Sequence, residues 1–206
     1  MVTIHDFKNL HRGERVYVLA SGPSLATLDL TPLRECLVVG LNRSSLLFPN
    51  TQYHCAMDQR IFDEYPDLLR CSRFLFTLEG RRIGIPIRPL GDEGFSWDLE
   101  KGIYSDYTVG YFALQLVVYM GCQEVMYFGL DLQHDGWKTH FFGTDAQCAN
   151  NQQKEFARMR QWLAYGAREV AKAGVKLFNC SPVSTVEGFT QITYESALSC
   201  RRSETK

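Results

Sequence analysis

This sequence of 206 residues has almost no excess of charge of one sign, and it lacks long apolar runs. Lys and Arg number 22 against 23 Asp and Glu, which gives a formal net charge of −1 at pH 7. Proteins that bind nucleic acids or membrane surfaces use a basic field to attract phosphates, and a transmembrane helix needs about 18 consecutive apolar residues. The composition therefore excludes a general nucleic-acid binder and an integral membrane protein. Because the first residues also lack a secretory signal, we expect a cytoplasmic protein.

Several common binding motifs are also missing. The seven cysteines form no C-x-x-C pair, so a structural zinc site or a dithiol redox motif has no support. Their odd number and their positions in apolar runs predict buried free thiols in a reducing compartment. Neither the G-K-[ST] of a Walker loop nor a G-x-G-x-x-G fingerprint occurs, which excludes two common phosphate-binding loops.

What is present is an alternation of short apolar runs, rich in β-branched residues, with helical patterns. This alternation is typical of βαβ units, and it predicts an α/β protein with a mostly parallel sheet and helices on both faces. The clearest helices cover 108–120, closed by Gly121, and about 150–173. The strands are predicted at 15–20, 36–41, 53–57, 73–77, 124–130 and 175–179.

The interval from about 80 to 106 has scattered Gly and Pro residues and no sustained period. Structureless stretches of that length in a compact domain are usually functional or mobile, so we interpret it as a lid-like insertion. The length of the chain fits one domain with a full core. We therefore predict a single domain over 1–206 that carries this lid.

The sequence ASGPSL, at 20–25, joins the first strand to a helical segment through a tight turn. Ligands of parallel α/β sheets bind at the carboxyl ends of the strands. Gly22 can let a ligand approach the backbone, Pro23 suits the first position of a helix, and Ser24 can donate from its hydroxyl and its amide. These features favour an anion, the phosphate of a nucleotide. The alternative is an ordinary connection between a strand and a helix.

Polar residues also follow other predicted strands. Asn42, Asp58 and Asp131 each come directly after an apolar run, so a parallel sheet brings them to the same edge as the turn at Gly22. We assign Asn42 and Asp58 to nucleotide binding, together with Gly129 of the fifth strand. The alternative for Asn42 and Asp58 is that each caps the helix that follows.

The densest polar cluster lies between 129 and 145, after the fifth strand. A carboxylate beside an imidazole suits a general base that acts on a hydroxyl, because the carboxylate orients the ring and the ring titrates near neutrality. We therefore predict His140 as the base, with Asp131 and His134 as further catalytic residues. Two alternatives stay open: hydrogen bonding within a structural loop, and a divalent metal site, although the spacing matches no closed zinc pattern.

A last polar patch, at 179–189, follows the sixth predicted strand. Its hydroxyl residues Ser181, Ser184 and Thr185 suit the base or ribose end of a nucleotide site, and they suit ordinary turns and caps equally well. We include Ser181 and Ser184 in the nucleotide-binding set.

Taken together, these segments resemble the bacterial CMP-sialic-acid-dependent sialyltransferases of lipooligosaccharide synthesis. The likeness is carried by VYVLASGPSL, by Asn42, by YTVGYFALQLVVYMGCQEVMYFGLDL and by NCSPVS. The chain also resembles the wider group of motility-associated flagellin glycosyltransferases and archaeal pterin diphosphokinases, whose G-x-D-L … D-G-K-T-H pattern is approached by GLDLQHDGWKTH. The segments cover most of the chain from 15 to 185.

The resemblance implies a Rossmann-like domain that binds a nucleotide sugar, with a CMP-sugar as the first choice of donor. It places Thr108 and Gly110 at a helix start that faces the ligand. It also assigns the earlier residues to parts of the ligand: the phosphates lie by Ser21, Gly22 and Ser24, the nucleotide by Asn42, and the base and ribose by Ser181 to Ser184.

The sequence departs from the sialyltransferase pattern at the catalytic positions. The tyrosines with which that family holds the leaving phosphate fall near Gln133 and Thr139, and neither residue is Tyr here. The catalytic histidine of that family falls near Thr144, four residues beyond His140. His140 fits the motility-associated pattern better.

We therefore expect a glycosyltransferase that moves a sugar, such as a sialic-acid-like one, from a nucleotide donor to a hydroxyl of a glycan or glycoconjugate. We place this reaction in the synthesis of surface polysaccharide, such as lipopolysaccharide, or of glycoprotein. We expect the protein at the inner face of the membrane as a peripheral protein, and we expect it to form a homo-oligomer. No DxD motif occurs, which favours a reaction without a metal. Two alternatives are a pterin-type diphosphokinase, which needs Mg²⁺, and a non-catalytic nucleotide-binding subunit.

Overall fold

A computed structural model describes residues 2–105, 108–133, 138–143 and 152–199 of the chain. The strands in these residues are β1 (Arg15–Leu19), β2 (Val38–Leu41), β3 (Tyr53–Cys55), β4 (Phe74–Leu78), β5 (Ile85–Ile87), β6 (Pro89–Gly91), β7 (Ile103–Tyr104), β8 (Glu124–Phe128), β9 (Lys176–Asn179) and β10 (Thr190–Gln191). The α-helices are α1 (Gln59–Glu64), α2 (Pro66–Arg70), α3 (Val109–Tyr119), α4 (Gln152–Ala171) and α5 (Tyr194–Ser199). Short 3₁₀ helices lie at Ile4–Phe7, Pro23–Thr27, Thr31–Glu35 and Asn42–Leu46.

Eight strands form one sheet in the order β10-β9-β8-β1-β2-β3-β4-β5, and each neighbouring pair is parallel. The chain runs outward from β1 to β5 on one side of the sheet. It then returns through α3 to β8, which pairs with β1 on the other side. The direction of winding therefore reverses beside β1, and such a switch point leaves a crevice at the carboxyl ends of the strands.

Both faces of the sheet are covered, as the continuous apolar runs predict. Side chains alternate along β1, so Val16 and Val18 belong to the core under α3 and α4, while Tyr17 and Leu19 belong to the core on the opposite face. That second core is completed by residues of the 3₁₀ helices and of α5: Leu25, Leu33 and Ala197.

The sequence prediction of the α/β fold is confirmed. The six predicted strands correspond to β1, β2, β3, β4, β8 and β9, and the two clearest helices correspond to α3 and the described part of α4. Gly121 lies just after α3 with φ +89°, and Gly174 lies just after α4 with φ +76°. Such left-handed residues end helices at little cost when they are glycines.

The segment from 80 to 106 contains more structure than its irregular sequence predicts. It begins with β5, which extends the main sheet, and it includes the two-stranded sheet of β6 and β7. The buried side chain of Gln115 in α3 ties this segment to the core, because its oxygen accepts hydrogen bonds from the Ser96 and Tyr104 amides and its NH₂ donates to the Tyr104 carbonyl.

Within the described residues, no helix has both the length and the apolar character that crossing a membrane requires. Cys55, Cys122 and Cys180 are buried free thiols, as predicted, and burial raises the pKa of each. Cys71, also a free thiol, is exposed.

Candidate functional site

A cavity lies at the switch point of the sheet, where the turns after β1, β2 and β8 meet the start of α3. Phe156 and Met159 of α4 also line it, as do Leu130 and Leu132. Its walls contain most of the residues that we predicted from the sequence, drawn from five separate segments: Ser21, Gly22, Asn42, Thr108, Gly110, Gly129, Asp131 and His140.

The turn after β1 is bound to the turn after β8. The Ser24 amide donates to Oδ2 of Asp131 at 2.8 Å, and the Ser24 hydroxyl donates to Oδ1 at 2.5 Å. Asp131 is buried, and its two acceptors are therefore used inside the protein. The sequence predicts an anion at this turn, and the structure places a carboxylate of the chain itself there. A phosphate contact by Ser24 stays a prediction, and it requires Asp131 to give way.

Gly22 has a second role besides the ligand contact that its sequence position predicts. A Cβ atom at Gly22 would lie 2.5 Å from Cγ and Oδ2 of Asp131 and 2.5 Å from the carbonyl oxygen of Gly129. The Gly22 amide also donates to that carbonyl at 2.9 Å. The absence of a side chain thus lets the turn after β8 approach, rather than only a ligand.

Asn42 follows β2 at the cavity wall, and its backbone has φ +47°. Asn is one of the few residues that tolerate this left-handed region. Asn42 is the first residue of the 3₁₀ helix Asn42–Leu46, and Leu41 is at the N-cap position. Among the described residues, Oδ1 of Asn42 is buried without a hydrogen-bond partner. The capping alternative for Asn42 is therefore wrong.

The residue below Asn42 is one that sequence reasoning missed. His54 in β3 donates from Nε2 to the Asn42 carbonyl at 2.8 Å. The ring is fully buried, and burial lowers the pKa of His54 to about 4. Its one signal in the sequence is a polar side chain inside the apolar run YHCAM, a pattern that ordinary core histidines share.

The first turn of α3 faces the cavity with Thr108, Val109 and Gly110. Thr108 is the N-cap, and its hydroxyl accepts the Gly110 amide at 3.2 Å. The buried hydroxyl of Tyr127 in β8 donates to the Gly110 carbonyl at 2.9 Å, which holds the helix start on the sheet. The positive end of the α3 dipole therefore points at the cavity.

His140 lies in the loop 138–143, which rests on the turn after β1 because the Phe141 amide donates to the Ser21 carbonyl at 3.1 Å. Nδ1 of His140 lies 2.8 Å from the Thr139 hydroxyl, which lies 3.3 Å from the Gly143 carbonyl. The imidazole stacks on Phe142, with ring centroids 4.8 Å apart.

A cation–π contact joins this loop to the turn that carries Asn42. The guanidinium of Arg43 lies 4.9 Å from the Phe142 ring and 5.0 Å from the Tyr65 ring. It also donates to Glu64 at 3.1 Å. Arg43, which the sequence did not single out, thus links the segments of two candidate site residues.

Ser24, whose amide and hydroxyl donate to Asp131, does not line the cavity, and neither do Asp58, Ser181 and Ser184. Asp58 is exposed and caps α1 by accepting the Arg60 amide at 3.0 Å, so its capping alternative is the one observed. Asp58 does not line the cavity, because β3 lies two strands from β1, and its assignment to the nucleotide site stays a prediction.

Ser181 and Ser184 are buried in the turn after β9. The Ser181 amide donates to Oδ1 of Asn179 and its hydroxyl accepts the Val183 amide, while the Ser184 carbonyl accepts Nδ2 of Asn179. The contacts of Ser181 are turn contacts, the alternative that the sequence left open, whereas among the described residues the buried hydroxyl of Ser184 has no hydrogen-bond partner. Ser181 borders a separate groove with Ser24 and Tyr194.

His134 lies outside the described residues, as does Thr144. Within the described part of the chain, His, Cys, Asp and Glu side chains form no group of three or more that could hold a metal ion.

Comparison with solved structures identifies relatives of the fold. CstII from Campylobacter jejuni, a sialyltransferase in complex with the substrate analogue cytidine-5′-monophosphate, superposes with a TM-score of 0.54 and 14% identity over 88% of this chain and 86% of that chain. The chain has the fold of CstII sialyltransferases. A Tyr-to-Phe variant of Cst-II in complex with CMP gives a TM-score of 0.52 at 12% identity, covering 86% of each chain. No protein-family model and no curated sequence matches.

The sialyltransferase resemblance drawn from the sequence is therefore confirmed at the level of the fold. A third solved structure, a variant of alpha-2,3/8-sialyltransferase CstII, agrees with a TM-score of 0.50 at 12% identity over 87% of each chain.

Proposed function

We propose that the protein is a glycosyltransferase that takes its sugar from a CMP-linked donor, and that the cavity beside β1 holds the nucleotide. The observation that carries the proposal is the buried, unpartnered Oδ1 of Asn42 at the cavity wall. A buried acceptor without a donor costs free energy on folding, and a ribose hydroxyl or a base amino group would supply that donor. Solved structures of the same fold contain CMP, which supports this choice of nucleotide.

The charges around the cavity support an anionic ligand on one side of it. The start of α3 contributes a positive dipole end. The Asp131 carboxylate lies against Ser24 at the turn after β1, where it would repel a second anion. We therefore place the phosphate of the donor toward Thr108 and Gly110, in place of the contact with Ser24 that the sequence predicts. We assign to Asp131 the role of holding the turn, in place of a catalytic role.

His140 is suited to accept the proton of the acceptor hydroxyl. When the Thr139 hydroxyl donates to the Gly143 carbonyl, it accepts the Nδ1 hydrogen of His140, and Nε2 carries the lone pair. In the transfer, the acceptor oxygen attacks the anomeric carbon as Nε2 takes its proton. The bond from that carbon to the phosphate oxygen breaks, and its electron pair leaves with CMP.

The acceptor in this proposal is a glycan or glycoconjugate of the cell surface. The test incubates the protein with CMP-sialic acid and a panel of glycans, and it measures released CMP and glycosylated product with and without excess EDTA. The proposal predicts product in both conditions and its loss in His140→Ala. A parallel incubation holds ATP, Mg²⁺ and a pterin alcohol, and transfer of diphosphate from ATP to that alcohol, with release of AMP and loss in EDTA, would favour the diphosphokinase. CMP binding without turnover on any donor would favour the non-catalytic subunit.

A further inference from the structure

The ring of His54 lies in the middle of β3, beneath the turn that carries Asn42, and no part of it reaches solvent. Nε2 must carry a hydrogen, because its partner at 2.8 Å is the Asn42 carbonyl, which can only accept. Within the described residues Nδ1 has no partner. The burial that lowers the pKa of His54 to about 4 keeps the ring neutral near pH 7. The His54 side chain therefore donates one hydrogen bond, from Nε2, and stays in this protonation state near pH 7.

The neighbouring strand is built to admit this ring. Gly40 of β2 is the residue in register with His54. A Cβ atom at Gly40 would lie 2.5 Å from Nδ1 of His54 and 2.9 Å from the Ser44 hydroxyl. The imidazole thus occupies the space that a side chain at Gly40 would take.

The hydrogen bond from His54 holds the backbone of Asn42 in a strained conformation. Asn42 has φ +47°, a region in which residues other than glycine are uncommon. Such a conformation persists where its surroundings hold it. The Ser44 hydroxyl accepts the Leu41 amide at 2.8 Å on one side of the turn, and His54 holds the carbonyl on the other.

We propose that His54 is a positioning residue for nucleotide binding, which holds the turn at Asn42 so that the Asn42 side chain stays at the cavity wall. This inference rests on the proposed function, because it assigns Asn42 to the nucleotide. His54 itself makes no contact with the ligand.

The experiment compares two variants of nearly equal side-chain length. His54→Gln keeps an N–H donor at the position of Nε2, whereas His54→Met fills the space without a donor. CMP is titrated calorimetrically into the wild type, both variants, Asn42→Ala, and the double variant His54→Met with Asn42→Ala. Leu69→Ala, in the separate core cluster of Ile61, Phe62, Leu69 and Leu75, controls for a general loss of stability.

We expect His54→Met to weaken CMP binding by at least about tenfold, His54→Gln to restore most of it, and Leu69→Ala to bind as the wild type does. Because His54 acts through Asn42, the double variant should bind no worse than Asn42→Ala alone. Additive losses, or wild-type affinity in His54→Met, would overturn the inference.

A crystal structure of ligand-free His54→Met separates this inference from the proposed function. If the wild type fails to bind CMP, the proposed function fails, and the conformation of Asn42 in the variant still tests the role of His54. A turn that leaves the left-handed region supports the inference, and a turn that stays at φ near +47° contradicts it.

Discussion

Ser24 and Asp131 hold together the two turns that flank the switch point of the sheet. The serine donates both its amide and its hydroxyl to the two oxygens of the buried carboxylate, at 2.8 Å and 2.5 Å. Ser24 follows β1 and Asp131 follows β8, and these strands are neighbours. The anion for which the first turn is suited is therefore present within the chain.

Removing this carboxylate should destabilise the protein. Asp131→Ala leaves two donors of Ser24 without an acceptor, which costs roughly 1–3 kcal/mol per buried unsatisfied group. Asp131→Asn keeps one acceptor and should lose less. Urea unfolding measures both against Asp63→Ala, an exposed position on α1 where we expect a change within about 0.5 kcal/mol. Unfolding of Asp131→Ala at the wild-type free energy would show that the link has no structural role.

Gly22→Ala tests the close approach of the same two turns. The new methyl group would lie 2.5 Å from Asp131 and from the Gly129 carbonyl, so the turns must separate. We expect a loss of about 1–3 kcal/mol in unfolding free energy, as for overpacked cores, and weaker nucleotide binding. For the loss of stability alone, Gly110→Ala is the matched control, because its methyl group would meet nothing nearer than 3.3 Å. Equal melting temperatures of the two variants would contradict this account of Gly22.

The sheet and the cavity could be predicted because the buried strands are continuous apolar runs whose ends carry polar residues. The sequence could not show which polar residue turns inward. Asn42 and Asp58 look alike after their strands, yet Asn42 lies at the cavity and Asp58 caps α1. Lateral position in the sheet decides between them, and single-strand patterns contain no information on strand order.

The edge strand β5 was not predicted. It is three residues long and contains Pro86, a residue that sheets tolerate only at an edge.

His54 shows a second limit of sequence reasoning. A histidine inside an apolar strand has the pattern of an ordinary core residue, and its partner is a backbone carbonyl that no side-chain motif records. Its importance follows from the conformation of Asn42, which only the structure supplies.

The catalytic assignment predicts distinct effects for His140 and for His134, which lies six residues earlier in the sequence and outside the described residues. His140→Ala should lower transfer by roughly 10²- to 10⁴-fold, the usual contribution of a positioned base, and leave CMP affinity nearly unchanged. His134→Ala is the control. Loss of transfer in His134→Ala but not in His140→Ala would move the role to His134, and no loss in either would favour a structural loop.

His54 should make stability depend on pH in a defined range. Burial lowers its pKa in the folded state from 6.5 to about 4, so below about pH 6.5 the unfolded chain takes up a proton that the folded protein does not. Stability therefore falls as the pH drops from 6.5 toward 4, by up to about 3 kcal/mol from this group.

Urea unfolding of the wild type and His54→Gln across this range measures that contribution, with the difference at about pH 7.5 as the baseline. The unfolding free energy of the variant should change less steeply with pH, and the difference in slope should correspond to nearly one proton. Curves that run parallel from pH 7.5 to 4 would show that His54 is not held neutral in the fold.

The central claim is that the cavity at Asn42 binds a cytidine nucleotide, and calorimetric titration of CMP into the wild type and Asn42→Gly tests it most directly. Asn42→Gly keeps the tolerance of positive φ while it removes the acceptor oxygen that the nucleotide would use. The account predicts saturable binding of one CMP per wild-type chain, and binding weakened by at least about tenfold in a variant that melts normally. No saturable binding of CMP to the wild type, or equal affinity in Asn42→Gly, would contradict it.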